Sequence, residues 1–187
     1  NLANSETLGF KADQVTTAQR LPARLEGGFA SDAQHMLEVL GGGQLSDPTR
    51  FVMQQGSLTP TQGELDLAID GDGFFMVGDG SGRESNVRLT RDGRFTRDPQ
   101  GELAMLGTGM KVLDDRQRTI EVPPGPLTVG PDGLVTQGEE ELGRIGMVSV
   151  PDTNSLRKLG DGLIDSGSQT GRLTRADDST LWQGYLE

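Results

Sequence analysis

The sequence has no cysteine and a single histidine, His35. The absence of cysteine excludes disulfide bonds, thiolate metal sites and cysteine nucleophiles, because each of these needs a cysteine sulfur. A histidine-dependent serine hydrolase or metal site would have to use His35, which lies in a glycine-flanked segment with no second ligand at metal-binding spacing. We therefore interpret His35 as a surface or interface residue, and the sequence offers little basis for a hydrolase.

Aromatic residues and basic clusters are also scarce. Aromatics make up 4% of the 187 residues, with one Trp and one Tyr, so a core has to be built mainly from Leu, Val, Ile and Met. The net charge is −11, and the longest run of basic residues is the pair Arg157-Lys158. Nucleic acids and anionic lipid surfaces attract basic patches, so neither is an expected partner. No apolar stretch approaches the ~18 residues of a membrane-spanning helix, and we expect no membrane insertion.

Glycine, by contrast, is abundant, with 28 residues beside nine prolines. Short apolar or β-branched runs alternate with turns, and the dipeptide Asp-Gly recurs at 72–73, 79–80, 92–93, 132–133 and 161–162. Asp supports such a turn through its own side chain, and Gly adopts positive φ without a steric penalty. Strand-length runs about every 8–12 residues predict a mainly β fold, an irregular antiparallel domain of short strands and hairpins over residues 65–165.

Several local patterns within this domain make specific predictions. Alternation of apolar and polar residues over 65–70 predicts a half-buried strand, and the apolar run 74–77 predicts a second strand. Asp92-Gly93, between two short strand candidates, predicts a β-hairpin. Asp152 is a candidate N-cap for a short helix that extends through Leu159.

The predicted β domain is flanked by extended arms. Residues 1–64 form an N-terminal arm and linker, in which the segment 33–40 fits either a helix or a strand. Residues 166–187 form a C-terminal arm that is polar at first and apolar at its end. There Leu181 and Tyr185, four residues apart, have helical spacing, which predicts that the arm leads into a helix.

Motifs with possible chemistry each have a simpler structural interpretation. Clustered acids at 64–72 and 139–141 suit turns and solvated faces better than a paired-carboxylate active site. The stretch 70–73 resembles a calcium loop, but Phe occupies the fifth and sixth positions, where an EF-hand needs a ligand and Gly. The glycine-rich stretch 78–82 precedes a strand candidate rather than a helix, so it predicts a hairpin loop and not a phosphate cradle. We predict no catalytic, cofactor-binding or metal site.

Five groups of residues in a fixed order resemble a known family. They are the opening Asn-Leu-Ala-Asn with Gly-Phe-Lys at 9–11, Gln-Gly-Ser-Leu at 55–58 followed by Leu-Asp-Leu-Ala-Ile-Asp-Gly-Asp-Gly-Phe-Phe at 65–75, Leu-Thr-Arg-Asp-Gly-Arg-Phe at 89–95, Val-Gly-Pro-Asp-Gly-Leu-Val at 129–135 and Gln-Gly-Tyr-Leu-Glu at 183–187. Together they resemble the bacterial flagellar rod and hook protein family.

This resemblance implies a structural subunit of the flagellar basal-body rod with no enzymatic activity. Such a subunit assembles helically and transmits torque from the motor to the hook for motility. The proximal and distal rod types both remain open. A hook or hook-associated subunit of the same family is one alternative, which an inserted outer domain would mark. A secreted β-sandwich that binds carbohydrate or calcium is an alternative from another class, although the single Trp and Tyr offer few binding platforms.

The resemblance also implies partners and a location. The terminal helices of the family pair as coiled coils in the inner tube, so helices are expected before Asn1 and after Glu187. The chain is therefore expected to be a trimmed core that is monomeric in dilute solution. The implied partners are other rod and hook subunits, further copies of the chain in the assembled rod, and the flagellar export apparatus that delivers the subunit to the periplasmic rod.

Candidates for the assembly interface lie at the two ends of the chain. They are Leu2, Asn4, Phe10, Lys11, Trp182, Tyr185 and Leu186. An alternative interpretation of Trp182 and Tyr185 is that they cap the β domain. Phe74, Phe75 and Phe95 are expected in the core.

Overall fold

A computed structural model describes residues 55–83, 86–167 and 172–187, together with four short strands at 13–14, 17–19, 44–46 and 50–51. The described strands belong to two compact units, one within residues 12–52 and the other including residues 53–187. The undecided segment 33–40 lies outside the described residues, as does His35.

The smaller unit contains two short antiparallel pairs. Strand β1 (Asp13–Gln14) pairs with β4 (Arg50–Phe51), and β2 (Thr17–Gln19) pairs with β3 (Gln44–Ser46). Part of the predicted N-terminal arm and linker therefore forms β structure.

The larger unit is built from short strands. They are β5 (Thr59–Pro60), β6 (Leu67–Asp70), β7 (Phe74–Gly78), β8 (Arg88–Thr90), β9 (Phe95–Arg97), β10 (Leu103–Met105), β11 (Lys111–Val112), β12 (Thr128–Val129), β13 (Leu134–Gln137), β14 (Glu140–Arg144), β15 (Met147–Ser149), β16 (Arg157–Gly160), β17 (Leu163–Asp165), β18 (Thr174–Arg175), β19 (Thr180–Gln183) and β20 (Tyr185–Leu186). The strand pairs are antiparallel, which confirms the predicted fold class.

Most of these strands join one nine-stranded sheet. Its order is β16-β17-β8-β7-β11-β10-β9, and β15 also pairs with β7 and with β18. A three-stranded sheet has the order β12-β13-β14, and two further pairs are β19-β6 and β20-β5. The C-terminal segment thus returns to strands from three different parts of the chain, because β18, β19 and β20 pair with β15, β6 and β5.

One hydrophobic core lies between these sheets. Phe75 and Phe95 meet edge to face with ring centroids 5.0 Å apart, a favoured aromatic geometry. Phe74 is buried as well, so the three predicted core phenylalanines are confirmed. Ala176 and Leu181 contribute to the same core from the C-terminal segment.

The predicted hairpin at Asp92-Gly93 is wrong. Strand β8 pairs with β7 and β17, whereas β9 pairs with β10. The chain instead crosses β6 at Gly93, whose carbonyl accepts a hydrogen bond from the Leu67 amide at 3.0 Å. A Cβ on Gly93 would lie 1.6 Å from the Leu67 carbonyl oxygen, so glycine serves a close backbone approach here rather than a hairpin turn.

Three other local predictions also need correction. The strand at 67–70 is not half-buried, because Leu67, Ala68 and Ile69 are all buried. Asp152 does cap a turn, through its carboxylate and the Asn154 amide, but only a 3-10 turn forms at Thr153–Ser155 before β16 begins. The C-terminal arm does not start a helix within the described residues, since 180–186 pair as strands β19 and β20. In each case pairing or packing with distant residues outweighs the local pattern.

Candidate assembly surface

The first and last described strands of the β unit lie side by side. Strand β20 pairs antiparallel with β5, so that Tyr185 is opposite Pro60 and Leu186 is opposite Thr59. The Gly184 residue between β19 and β20 has φ of 77°, a left-handed conformation that glycine adopts at little cost. Residues 59–60 and 185–186 are therefore neighbours although they are far apart in the sequence.

A buried arginine, Arg91, contacts the residue that follows strand β20. The Arg91 and Glu187 side chains are 1% and 4% exposed and form an ion pair at 3.3 Å between Nη1 and Oε2. Arg91 Nη2 also donates to the Gly71 carbonyl at 2.5 Å. The guanidinium lies 5.3 Å from the ring centroid of Phe74, a cation–π distance. Arg91 is thus held by charge, hydrogen bonding and an aromatic face.

The same cluster holds the segment before β5. Gln55 Oε1 accepts from Arg91 Nη1 at 3.2 Å, and the Gly56 amide donates to Glu187 Oε1 at 2.7 Å. We call Gln55, Gly56, Arg91 and Glu187 the junction cluster. Burial lowers the pKa of Arg91, and the negative charge of Glu187 opposes that shift. The cluster thus links the buried Arg91 and Glu187 side chains to the exposed residues Gln55 and Gly56, which are far from them in the sequence.

Sequence reasoning did not single out this cluster. Arg91 and Glu187 lie within segments that carry the family resemblance, but neither shows its burial locally. An arginine beside an Asp-Gly dipeptide is typical of an exposed turn. Its burial follows from the return of the C-terminal strands to β5 and β6, which the local pattern does not encode.

Gln183 makes a second set of ties across the same region. Its side-chain Nε2 donates to the carbonyls of Glu64 at 2.9 Å and Leu127 at 3.0 Å, and its Oε1 accepts from the Val129 amide at 3.1 Å. These bonds connect β19 to β12 and to the segment before β6. One amide side chain therefore uses both its donor and acceptor capacity to brace three segments.

Two aromatic residues lie on the outer side of this junction. Trp182 and Tyr185 meet edge to face with ring centroids 5.6 Å apart. Trp182 is 44% exposed, and Tyr185 is half-buried. Leu186 is buried within the chain, so the accessible part of the predicted C-terminal interface is Trp182 with one side of Tyr185.

The chain is similar over its whole length to a flagellar protein. The flagellar basal-body rod protein FlgF of Caulobacter vibrioides is 39% identical over 199 aligned positions, which cover 100% of this chain and 72% of that protein. The chain belongs to the flagellar rod and hook protein family.

Other members of the flagellar rod and hook protein family agree with this assignment. The family model described as "Flagellar hook protein FlgE/F/G D1 domain" matches residues 68–137, which span β6 to β13. The flagellar basal-body rod protein FlgG of Bacillus subtilis is 32% identical, covering 100% of this chain and 75% of that protein. The flagellar hook protein FlgE of Rhizobium meliloti is 30% identical over 92% of this chain but only 34% of its own length.

The remaining sequence predictions for this family member concern the N-terminal interface residues, metal sites and membrane-spanning helices. Leu2, Asn4, Phe10 and Lys11 lie outside the described residues. Within the described residues there is no group of three or more His, Cys, Asp or Glu side chains arranged to hold a metal ion. No helix in that part of the chain is long and apolar enough to cross a membrane.

The glycine-rich stretch 78–82 forms part of a hairpin loop, as predicted. Strands β7 and β8 pair directly, and the stretch begins the connection between them. The Ser81 amide donates to Asp79 Oδ1 at 2.9 Å, which closes a local turn. Hydrogen bonds from Ser81 lower the pKa of Asp79. The loop is therefore held by its own side chains.

Proposed function

We propose that this protein is a structural subunit of the flagellar basal-body rod that assembles helically and transmits torque to the hook. The observation that carries the proposal is the 39% identity to a basal-body rod protein along the whole chain. In this role the protein has no catalytic activity. Its partners are other rod and hook subunits, including further copies of itself.

The geometry of the junction suits a load-bearing subunit. Strands β5 and β20 lie side by side, and the junction cluster ties the segment before β5 to the buried pair of Arg91 and Glu187. A torque applied at this edge of the β unit would pass into the sheets through several hydrogen bonds rather than through one flexible linker.

The assembly surface in this proposal includes Trp182 and Tyr185, with Leu2, Asn4, Phe10 and Lys11 as further candidates, whereas Leu186 is buried within the chain and is left out. An exposed tryptophan packed on a tyrosine is typical of residues that dominate protein interfaces. The subunit reaches the periplasmic part of the rod through the flagellar export apparatus. Because tube formation needs the terminal helices, residues 1–187 alone are expected to be monomeric in dilute solution.

A hook subunit is the less favoured candidate. The hook relative is matched over 34% of its length, whereas the two rod relatives are matched over 72% and 75% of theirs. The chain therefore corresponds to most of a rod protein and to a minor part of a hook protein.

The decisive experiment is deletion of the gene in the source bacterium, with swimming assays and electron microscopy of purified basal bodies. We expect loss of swimming and missing or shortened rods, with recovery when the full-length gene is restored. Expression of residues 1–187 alone should not restore rods. Normal swimming with intact rods in the deletion strain would contradict the proposal. Light scattering of purified residues 1–187 tests the expected monomer.

A further inference from the structure

The dipeptide Asp-Gly is the sequence in which an aspartate most readily isomerises. The backbone nitrogen of the glycine attacks the side-chain carboxyl of the aspartate, and glycine has no Cβ to hinder the attack. The attack needs a free amide, a free carboxyl and a backbone that can rotate, so the fold decides which dipeptides react. The chain contains six of them, at 70–71, 72–73, 79–80, 92–93, 132–133 and 161–162.

Both reacting groups are free at 161–162. Asp161 and Gly162 form the tip of the β16–β17 hairpin, and both residues are exposed. Among the residues that the structure describes, none binds the Asp161 carboxylate and none accepts a hydrogen bond from the Gly162 amide. The carboxyl and the amide of this dipeptide are therefore open to solvent.

The turn at this tip can reach the reacting conformation by rotation of one peptide. The φ angles of Asp161 and Gly162 are 51° and 74°, the signs of a type I′ turn. Ring closure needs a ψ of about −120° at the aspartate, which is the value at the first central residue of a type II′ turn. A flip of the peptide between the two residues converts one turn into the other, and glycine accepts the changed φ. The Thr90 hydroxyl donates to the Gly162 carbonyl at 2.8 Å, and this carbonyl belongs to the next peptide, so the anchor can stay in place.

The two dipeptides at the β6–β7 connection are held by buried groups. Asp70 ends strand β6, which pairs with β19, and the Gly71 carbonyl accepts a hydrogen bond from Arg91 Nη2 at 2.5 Å. The Gly73 amide donates to Ser179 Oγ at 3.0 Å in a buried contact. Rotation at either dipeptide would break these bonds inside the fold.

The dipeptide at 92–93 is held on both sides. Asp92 is buried, and its Oδ1 and Oδ2 accept from Arg94 Nε at 2.9 Å and Nη2 at 2.6 Å. Gly93 lies at the close crossing with β6, where its carbonyl accepts from the Leu67 amide. Neither the carboxyl nor the backbone is free to move.

The dipeptide at 132–133 has its amide engaged and its carboxyl paired. The Gly133 amide donates to the Gly130 carbonyl at 2.9 Å. The Asp132 carboxylate forms an ion pair with Arg144. The attacking nitrogen and the carboxyl would both have to be released before the ring could close.

The dipeptide at 79–80 has its carboxylate held by the hairpin loop. Asp79 Oδ1 accepts from the Ser81 amide at 2.9 Å, and Oδ2 accepts from Asn86 Nδ2 at 2.6 Å. Hydrogen bonds from Ser81 lower the pKa of Asp79, which favours its charged form. Attack by an amide nitrogen requires the neutral carboxyl, because hydroxide is a poor leaving group from a carboxylate.

We propose that Asp161 is a modification site, at which the folded protein isomerises spontaneously to isoaspartate. The Gly162 nitrogen forms a bond to Cγ of the neutral Asp161 carboxyl, and the carboxyl hydroxyl leaves with the amide proton as water. Water then adds to the resulting succinimide. Opening at Cγ restores aspartate, whereas opening at the main-chain carbonyl leaves the chain joined through Cγ as isoaspartate. One water leaves and one returns, so the reaction needs no oxidant or reductant.

The product changes the tip of the hairpin in two ways. The main chain becomes one methylene group longer between β16 and β17, and the former main-chain carbonyl becomes a free carboxyl group. That group is the kind of substrate that isoaspartate-specific carboxyl methyltransferases modify. Such an enzyme therefore serves as a probe for the reaction.

Incubation of purified residues 1–187 in mildly acidic water enriched in the heavy oxygen isotope tests the proposal. Each opening of the ring adds one heavy oxygen atom. Trypsin releases residues 159–172 as one peptide, and electron-transfer fragmentation distinguishes isoaspartate at Asp161 from isoaspartate at Asp165. We expect the level at Asp161 to exceed that at each other Asp-Gly site by about tenfold or more, since ~1.4 kcal/mol in the free energy of opening corresponds to tenfold.

Two controls separate the effect of the fold from that of the dipeptide. In urea the six dipeptides lose their tertiary contacts and should isomerise at comparable rates. Asp161→Asn should form the same succinimide faster, with loss of ammonia, and should become a methyltransferase substrate. Asp72→Asn is the matched variant and should persist in the folded chain, because Ser179 holds the Gly73 amide. Thermal melting of both variants checks that each is folded.

The outcomes decide the proposal. Isoaspartate spread evenly over the six dipeptides of the folded chain, or formed first at another one, would overturn it. Absence of isoaspartate at Asp161 in the folded chain, when the chain in urea forms it, would show that the turn protects this residue and would also overturn the proposal. Equal persistence of Asp161→Asn and Asp72→Asn in the folded state would lead to the same conclusion.

Discussion

Arg91 and Glu187, 96 positions apart in the sequence, form a buried ion pair in which Nη1 and Oε2 are 3.3 Å apart. Both side chains are shielded from water, so neither charge is stabilised by solvent if the other is removed. The pair also reaches Gln55 and Gly56 in the segment before β5. It therefore couples the segment before β5 to the residue after β20 and to the buried Arg91.

Removing one charge of this pair should be strongly destabilising. Loss of one partner from a buried ion pair typically costs about 3–5 kcal/mol, because the remaining charge stays buried without compensation. We expect Arg91→Met to lower the free energy of unfolding by that order, measured by urea denaturation. Arg91→Met/Glu187→Leu should recover part of the loss, since no charge then remains unpaired.

A matched control exists in an exposed ion pair. Arg175 forms an ion pair with Asp177 at 3.1 Å, and the two side chains are 45% and 80% exposed. Exposed pairs contribute about 0–1 kcal/mol, so Arg175→Met should cost far less than Arg91→Met. Equal losses for the two variants would show that burial does not set the value of the Arg91 pair.

The close crossing at Gly93 predicts a second large effect. A Cβ at this position would lie 1.6 Å from the Leu67 carbonyl oxygen, so Gly93→Ala must displace β6 or the crossing loop. We expect a loss of several kcal/mol in the free energy of unfolding, about the size of the larger single-residue effects. Gly107→Ala is the control, because a Cβ there meets no atom within 4 Å. That variant should be neutral or slightly stabilised.

Trp182 should matter for assembly more than for folding. Its side chain is 44% exposed, and its aromatic contact with Tyr185 contributes about 0.5–1.5 kcal/mol beyond buried area. We expect Trp182→Ala to shift the melting temperature of residues 1–187 modestly but to reduce swimming and rod formation severely when placed in the full-length gene. The control is Leu106→Ala, at an exposed apolar residue in the β10–β11 turn. A strain that carries this variant should swim normally. Normal rods with Trp182→Ala would remove Trp182 from the assembly surface.

The carboxyl of Asp79 should titrate below its ordinary value of 3.8, because Ser81 donates hydrogen bonds to the charged form. A lowered pKa in the folded state contributes stability above the unfolded pKa, and that contribution is lost as the pH falls through the folded pKa. We expect Ser81→Ala to raise the pKa of Asp79 toward its ordinary value, as measured by the NMR shift of the carboxyl carbon. An unchanged midpoint would show that the Ser81 side chain does not hold this loop.

Patterns of neighbouring residues predicted the features that depend on local geometry. The apolar strand at 74–77 and the hairpin loop at 78–82 were both found, because side-chain character and turn chemistry act over a few residues. Asp152 was correctly identified as a capping residue, but the helix that it was expected to begin ended as a single 3-10 turn. There the pairing of β16 with β17 outweighed the local preference.

The sequence by itself determined the mainly β fold class, the burial of Phe74, Phe75 and Phe95, and the family. Each follows from composition, local periodicity or an ordered set of motifs. Only the tertiary structure decided which strands pair, that residues 180–186 return as strands, and that Arg91 meets Glu187 inside the fold. The physical reason is that such contacts join residues distant in sequence and are selected by the burial and hydrogen bonding of the whole β unit, which no single segment encodes.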